Sequence, residues 1–313
     1  MKCLVTGGAG FIGSNLTHAL VEAGHEVRVL DNFSTGHREN LEDLKTRIEI
    51  LEEDLRDGHA VMRACEGMEV VFHQGAMPSV PRSIEDPLTS FQVNSGGTLN
   101  VMLGAKMAGV RRVVYAASSS AYGDALELPK HEAMLPDPKS PYAADKVHGE
   151  HLCRVFTSSF DLECVALRYF NVFGPRQRPD SAYAAVIPRF IQALLDGEAP
   201  RIHGDGLQSR DFTYIDNVID ANLKAAAAPG AAGGVFNVGF GQRVTLLELL
   251  EILQEIIGGA VEPVHEPPRV GDVKHSLADV SRAREILGYE PAVSLAEGLR
   301  RTVAWFRERR AEV

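Results

Sequence analysis

The hydrophobic and polar positions of this chain follow two periods in its first half. Short runs rich in Val, Ile and Leu recur as KCLVTG, EVRVLD, EILEEDL, VVFHQG, RRVVYAASS and ECVALRYFN, each about the length of a buried strand. Between them, apolar residues return at helical spacing from about Phe11 to Ala23, from about Asp86 to Met107, and again in the segment opened by SPYAADK. Strands alternating with helices require right-handed crossovers, so the pattern predicts a parallel, doubly wound α/β sheet covered on both faces. Ligands of such a sheet sit at the carboxyl ends of its strands.

Past NVFGPRQRP, residues 171 to 179, the elements become shorter and mixed. VIPRFIQALL is helical, PRIHG and RDFTYI are extended, VFNVG is strand-like, and KAAAAPGAAGG reads as a helix end running into a turn. A chain of 313 residues has room for two unequal lobes. The first is expected over residues 1–172, and a smaller mixed α/β C-terminal domain for substrate mainly over 173–313. Because VFNVG suits the main sheet as well as the small lobe, the chain is expected to cross back around residues 210–240.

Composition narrows the function. With 45% hydrophobic and 24% charged residues the chain is an ordinary globular one, which excludes a largely disordered protein. A net charge of -10 argues against nucleic-acid or anionic-membrane binding, so an anionic ligand would have to be held by particular arginines. Cys3, Cys65, Cys153 and Cys164 form no CxxC pair and no zinc-ligand spacing, and are expected to be reduced core residues rather than metal ligands. No signal-peptide pattern opens the sequence, and no apolar run reaches the ~18 residues that span a bilayer; a cytoplasmic location is the expectation.

Chemistry enters with TGGAGFIG, where Gly7, Gly10 and Gly13 lie between a predicted strand and an amphipathic helix. Glycine permits the tight turn and the close approach of a pyrophosphate, whose charge the helix N-terminus favours. Asp31 ends the next strand, where its carboxylate can accept from both ribose hydroxyls and repel the extra phosphate of NADP. These features make the first lobe Rossmann-type and the expected cofactor NAD. AASSSAYG then places three serines at a strand end, and Tyr142 and Lys146, at i and i+4, share one face of the following helix. A lysine ammonium and a positive nicotinamide both favour phenolate over its usual pKa of ~10, making Tyr142 a base near neutral pH. Lys146 would also hold the nicotinamide ribose, and a serine would orient the substrate alcohol. The lone His73 reads as a structural residue beside the cofactor.

Taken together, TGGAGFIG, DNFSTG, DLRD, HQGA, VNSGGT, SSSAYG, YAADK, RYFNVFGPRQ, SRDFTYIDNV and RVGD resemble, over essentially the whole chain, the extended short-chain dehydrogenase/reductases that act on nucleotide sugars. The resemblance is strongest to the 4-epimerases of UDP-hexoses, including those that accept UDP-N-acetylglucosamine. It implies a catalytic set of Ser118, Tyr142 and Lys146. It also implies cofactor contacts from Phe11, Ile12, Asn32, Ser34, Thr35, Gly36, Asp54, Leu55, Gln74, Ala76, Asn94 and Tyr169. Asn171, Arg210 and Arg269 match the family's diphosphate positions, Asp272 a ribose contact, and His203 falls near the uracil-stacking position. Ser79, Ser119 and Val186 fall on the sugar side, and Ser276 matches a residue that walls the hexose pocket, where a small side chain is associated with tolerance of an N-acetyl group. Ser119 and Ser120 stand where the family's 4,6-dehydratases carry an acidic pair, which counts against dehydration. A homodimer through the helices around 88–107 and 142–158 is implied as well.

The expected reaction is C4 epimerisation of UDP-glucose and UDP-galactose, extending to the N-acetylated pair. UDP-glucuronate epimerisation, decarboxylation or dehydration are the enzymatic alternatives, since Arg82 could meet a substrate carboxylate. An NAD-sensing protein without catalysis is the non-enzymatic one.

Overall fold

The computed structural model describes residues 1–179, 185–267 and 274–311. Six strands of the first half are β1 (Lys2–Thr6), β2 (Glu26–Leu30), β3 (Glu49–Leu51), β4 (Val70–His73), β5 (Arg112–Ser118) and β6 (Glu163–Tyr169). With Val235–Val238 they form a seven-stranded parallel sheet, ordered Val235–Val238, β6, β5, β4, β1, β2, β3. The order reverses between β1 and β4, the point at which such a sheet opens a crevice for ligand.

Alternation along the strands fills two cores. Val5, Phe72, Val114 and Leu167 face one side with Leu16 and Leu20, whereas Leu4, Val71, Tyr115 and Ala166 face the other with Val61 and Val101. The helices on these faces are α1 (Phe11–Glu22), α2 (Gly58–Cys65), α3 (Val80–Glu85), α4 (Pro87–Ser90), α5 (Gly97–Met107) and α6 (Pro141–Ser159). Local chemistry starts them where they start. Asp57 caps α2 by accepting from His59 and Ala60 N–H, and Ser140 caps α6 from Ala143 N–H with Pro141 at its first position. All four cysteines are buried and free, and among the described residues no helix is long and apolar enough to cross a membrane.

The helix expected from Asp86 to Met107 runs without a break from Pro87 to Met107 but widens in its middle. Between α4 and α5 the chain makes a π turn over Phe91–Gly96, where the Asn94 side chain bonds both the N–H and the carbonyl of Met77. Strand formation in EILEEDL stops at Leu51, and RDFTYI divides into Ser209–Arg210 and Thr213–Tyr214 before Ile215 opens a helix. The second half also holds α7 (Val186–Asp196) and three two-stranded pairs. Val172–Phe173 runs beside Thr213–Tyr214, Ser209–Arg210 beside Val244–Thr245, and Arg201–His203 beside Val264–Glu266.

Candidate active site

Two clefts open at the carboxyl ends of the strands, and Tyr142 lines both. The first encloses about 520 Å³. Its floor is the glycine turn: Gly7 has φ +66°, and a Cβ on Gly13 would lie 2.1 Å from Gly7 O, so only backbone fits between β1 and α1. Asp31 closes the far end, its two oxygens accepting from Ala9 N–H at 2.9 Å and Phe33 N–H at 2.8 Å. Each oxygen keeps a lone pair for a ribose hydroxyl. Burial raises the Asp31 pKa, while Arg56, hydrogen-bonded to Asp54, holds that carboxyl well below the usual range. A cradle with no room for a Cβ and a carboxylate one strand away fit an adenine dinucleotide.

Of the residues expected at the cofactor, Gly7, Gly10, Phe11, Ile12, Gly13, Asp31, Asn32, Ser34, Thr35, Asp54, Leu55, Gln74, Ala76, Tyr142, Lys146 and Tyr169 line this cleft. Gly36 and Asn94 stand behind the wall. A Cβ on Gly36 would meet Ala9 Cβ at 2.8 Å, and Asn94 accepts from Met77 N–H at 2.7 Å, setting the chain that carries Ala76. His73 is buried between Thr6 and Thr98, bonded to both hydroxyls, and burial holds it neutral with a pKa pulled to about 3.

The second cleft, about 550 Å³, is lined by Ser79, Asn171, Val186, His203 and Arg210 among the expected residues. Arg210 donates from Nη1 to Ser209 O and Lys274 O. His203 leaves Nε2 buried without a hydrogen-bond partner among the described residues. Ser118, Ser119 and Ser276 are not part of this lining. Ser118, at the end of β5, accepts from Ser120 Oγ at 2.9 Å, Ser119 begins the short turn Ser119–Tyr122, and Ser276 accepts from Asn171 Nδ2 at 3.2 Å. Arg269 and Asp272 lie outside the described residues.

Sequence reasoning missed Arg189, Gln177, Gln208 and Phe212 in the second cleft, and Thr89 and Val93 in the first. A signal for one of them was present, since Arg189 follows Val186 by one helical turn and so shares its face. It also missed Asp145, buried beside Lys146.

One electrostatic expectation needs correcting. Burial raises the Tyr142 phenol above its ordinary pKa, opposed by a hydrogen bond with Ser118. Lys146 does not reverse this, because its Nζ lies 5.7 Å from the Tyr142 ring centre and donates to Ala116 O at 2.7 Å. Burial also pushes Lys146 down to about 8. Desolvation disfavours both charged forms, so in the protein alone the proton stays on the phenol.

Comparison with known proteins agrees with the cleft. Residues 3–239 match the model of the NAD dependent epimerase/dehydratase family. A UDP-glucose 4-epimerase of Mycolicibacterium smegmatis is 41% identical over 313 residues, 99% of each chain. Among solved structures, a UDP-N-acetylglucosamine 4-epimerase from Methanobrevibacter ruminantium in complex with UDP-N-acetylmuramic acid superposes with TM-score 0.94 at 40% identity, covering 98% of both chains. A UDP-glucuronic acid 4-epimerase from Bacillus cereus, bound to UDP-glucuronic acid and NAD, gives 0.91 at 33% identity, covering 98% of this chain and 99% of that one. The glycine cradle, the Asp31 carboxylate at the end of the cleft and the matched segment agree: this chain belongs to the NAD-dependent epimerase/dehydratase family, with NAD as its cofactor and nucleotide-sugar epimerisation as its activity.

Proposed function

We propose that the protein interconverts C4 epimers of UDP-hexoses, acting on glucose and galactose and on their N-acetylated counterparts. The observation that carries this reading is that one phenol, Tyr142, lines both the cofactor cleft and the second cleft. When bound, NAD supplies a hydride acceptor and donor to C4 of the sugar. Tyr142 takes the proton of the sugar 4-hydroxyl, with Ser118 orienting that hydroxyl through its own bond to the phenol. Tyr142 stays protonated beside Lys146 alone, and would give up its proton more readily in the holoenzyme, where the oxidised cofactor would add positive charge to the site. The resulting 4-ketose stays anchored by its diphosphate to Arg210 and Asn171, turns its ring in the second cleft, and takes hydrogen back on its other face while Tyr142 returns the proton. Cofactor is restored in each cycle, so no net oxidation occurs.

In this reading residues 1–172, joined by Val235–Val238, carry the cofactor and the remainder of 173–313 carries mainly the nucleotide sugar. Assembly as a homodimer belongs to the same proposal: Ile84, Leu88, Phe91, Leu103, Met107 and Val155 leave large apolar side chains exposed on α3 to α6 and the π turn. Light scattering should give twice the mass of 34.0 kDa.

Support for the acetamido-tolerant substrate range is the small size of Ser276, whose hydroxyl accepts from Asn171, a residue of the second cleft's lining. The test is turnover of UDP-glucose, UDP-galactose, UDP-N-acetylglucosamine and UDP-N-acetylgalactosamine by purified protein without added NAD. Interconversion within both pairs is the expected result. Activity on the first pair alone would refute the role given to Ser276. Turnover of UDP-glucuronate in their place would overturn the proposed substrate, with Arg82, on the wall of the first cleft, the cation to examine next.

A further inference from the structure

The first turn of α6 is held by hydroxyls that the reaction above does not use. Ser83 Oγ accepts from Tyr142 N–H at 3.1 Å. Ser90 and Ser95 donate to the two oxygens of Asp145, each at 2.7 Å, and Asn94 Nδ2 donates to Ser90 at 3.2 Å. Asp145 is 5% exposed and Lys146 4%. Asp145 turns its oxygens to the serines and Lys146 its Nζ to Ala116 O, so as consecutive helix residues the two buried charges act on each other through the interior rather than by a direct bond.

The clamp depends on the π turn. In an α-helix, residues five apart differ by about 140° and could not both reach one carboxylate. The wider turn over Phe91–Gly96 brings position 95 back under position 90.

We propose that Asp145 is a positioning residue: clamped between Ser90 and Ser95, its carboxylate is the counter-charge that keeps Lys146 an ammonium at the cofactor cleft. The inference rests on the reading of Tyr142 and Lys146 as the pair that meets cofactor and sugar. The other titratable groups around Lys146 are Tyr142 and, one turn on, Glu150 on its own helix, Tyr115 on β5 with its ring centre 5.1 Å from Nζ, and His73 on β4. Glu150 is already matched by Arg168, which donates to both its oxygens at 2.7 Å; His73 is held neutral, and burial raises both phenols. Burial drives Lys146 toward its neutral form, and Asp145 is the group that opposes it. Neutralising Asp145 therefore lets Lys146 shed its proton at lower pH.

The experiment compares wild type with Asp145→Asn and Asp145→Ser as holoenzymes, following turnover against pH and, separately, NADH affinity against pH by nicotinamide fluorescence. The alkaline fall of both profiles should move about one pH unit lower in the variants, which is ~10-fold at a fixed pH above the midpoint. Unmoved profiles with only a lowered Tm would show a structural residue and overturn the proposal, as would a shift to higher pH. Failure of both variants to fold would assign Asp145 to the folding of α6 and overturn it too. If the wild type turns over no UDP-sugar, the proposed function fails, and the NADH profile still decides the role of Asp145.

Discussion

The two clefts meet at Tyr142 but are built from different materials. The cofactor cleft is floored by strand ends and a glycine turn, backed by a sheet whose core residues are fully buried on both faces. The second cleft is walled by α7 and two- and three-residue strand pairs, and its chemistry rides on long side chains such as Arg189, His203, Gln208 and Arg210. The backbone floor of the first cleft cannot be altered by exchanging side chains. Side-chain walls can be exchanged one at a time, which suits the part of a nucleotide-sugar enzyme that chooses its sugar.

The most drastic way to test this division is to change the residue both clefts share. Tyr142→Phe should lower turnover by ~10³-fold while NAD remains bound, because a positioned acid-base group contributes ~10²–10⁴-fold and the ring still packs. Loss of NAD from this variant would mean that the clefts are not separable. Next in size, Arg210→Ala should raise KM for UDP-sugars ~10–100-fold, the equivalent of a charged hydrogen bond of ~1.5–3 kcal/mol, with NAD content unchanged. In mirror image, Gly13→Ala should expel NAD by driving a methyl into Gly7 O, at a cost to folding of ~1–3 kcal/mol. Cofactor absorbance after purification reads out that loss.

Opposite in sign between the two regions is the response to acid. His73, beneath the cofactor cleft, has its pKa lowered to about 3 by burial, so the unfolded chain takes up the proton first. Stability from this group is complete above ~6.5 and is lost as pH falls toward 3. Asp211, behind Asn171, is raised to about 6 by burial, although Phe240, Gly241 and Ala278 N–H all donate to it. Its contribution is complete below ~3.9 and is lost as pH rises through 6. Denaturant midpoints against pH should therefore show a shallower acid loss in His73→Gln and a steeper one in Asp211→Asn. Equal slopes in the two variants would remove the contrast.

How much of this was legible in the sequence follows the same division. The doubly wound sheet and the glycine turn were readable because they depend on local rules: alternating apolar runs, and glycine where no Cβ fits. The π turn within the helix at Phe91–Gly96 was not, since the bonds that accompany it, between Asn94 and Met77, join segments that no periodicity links. The Tyr142–Lys146 spacing was legible, but the direction of the Tyr142 pKa was not, because burial depends on the whole fold. In the second cleft the sequence pointed to Asn171, His203 and Arg210 through motifs, and passed over Phe212 and Gln208, which reach the cleft only through the packing of strands two or three residues long.

The π turn makes chain length itself a carrier of information. Removing a single residue between Ser90 and Ser95 would leave an ordinary α-helix with the two serines four apart and still on one face, whereas adding one would carry them to different sides and take them off Asp145. This stretch acts as a ruler: substitutions on its outer face, as at Phe91, can drift, and a form one residue shorter keeps the clamp, whereas a longer one loses it, so its relatives ought to differ here in letters without exceeding it in count.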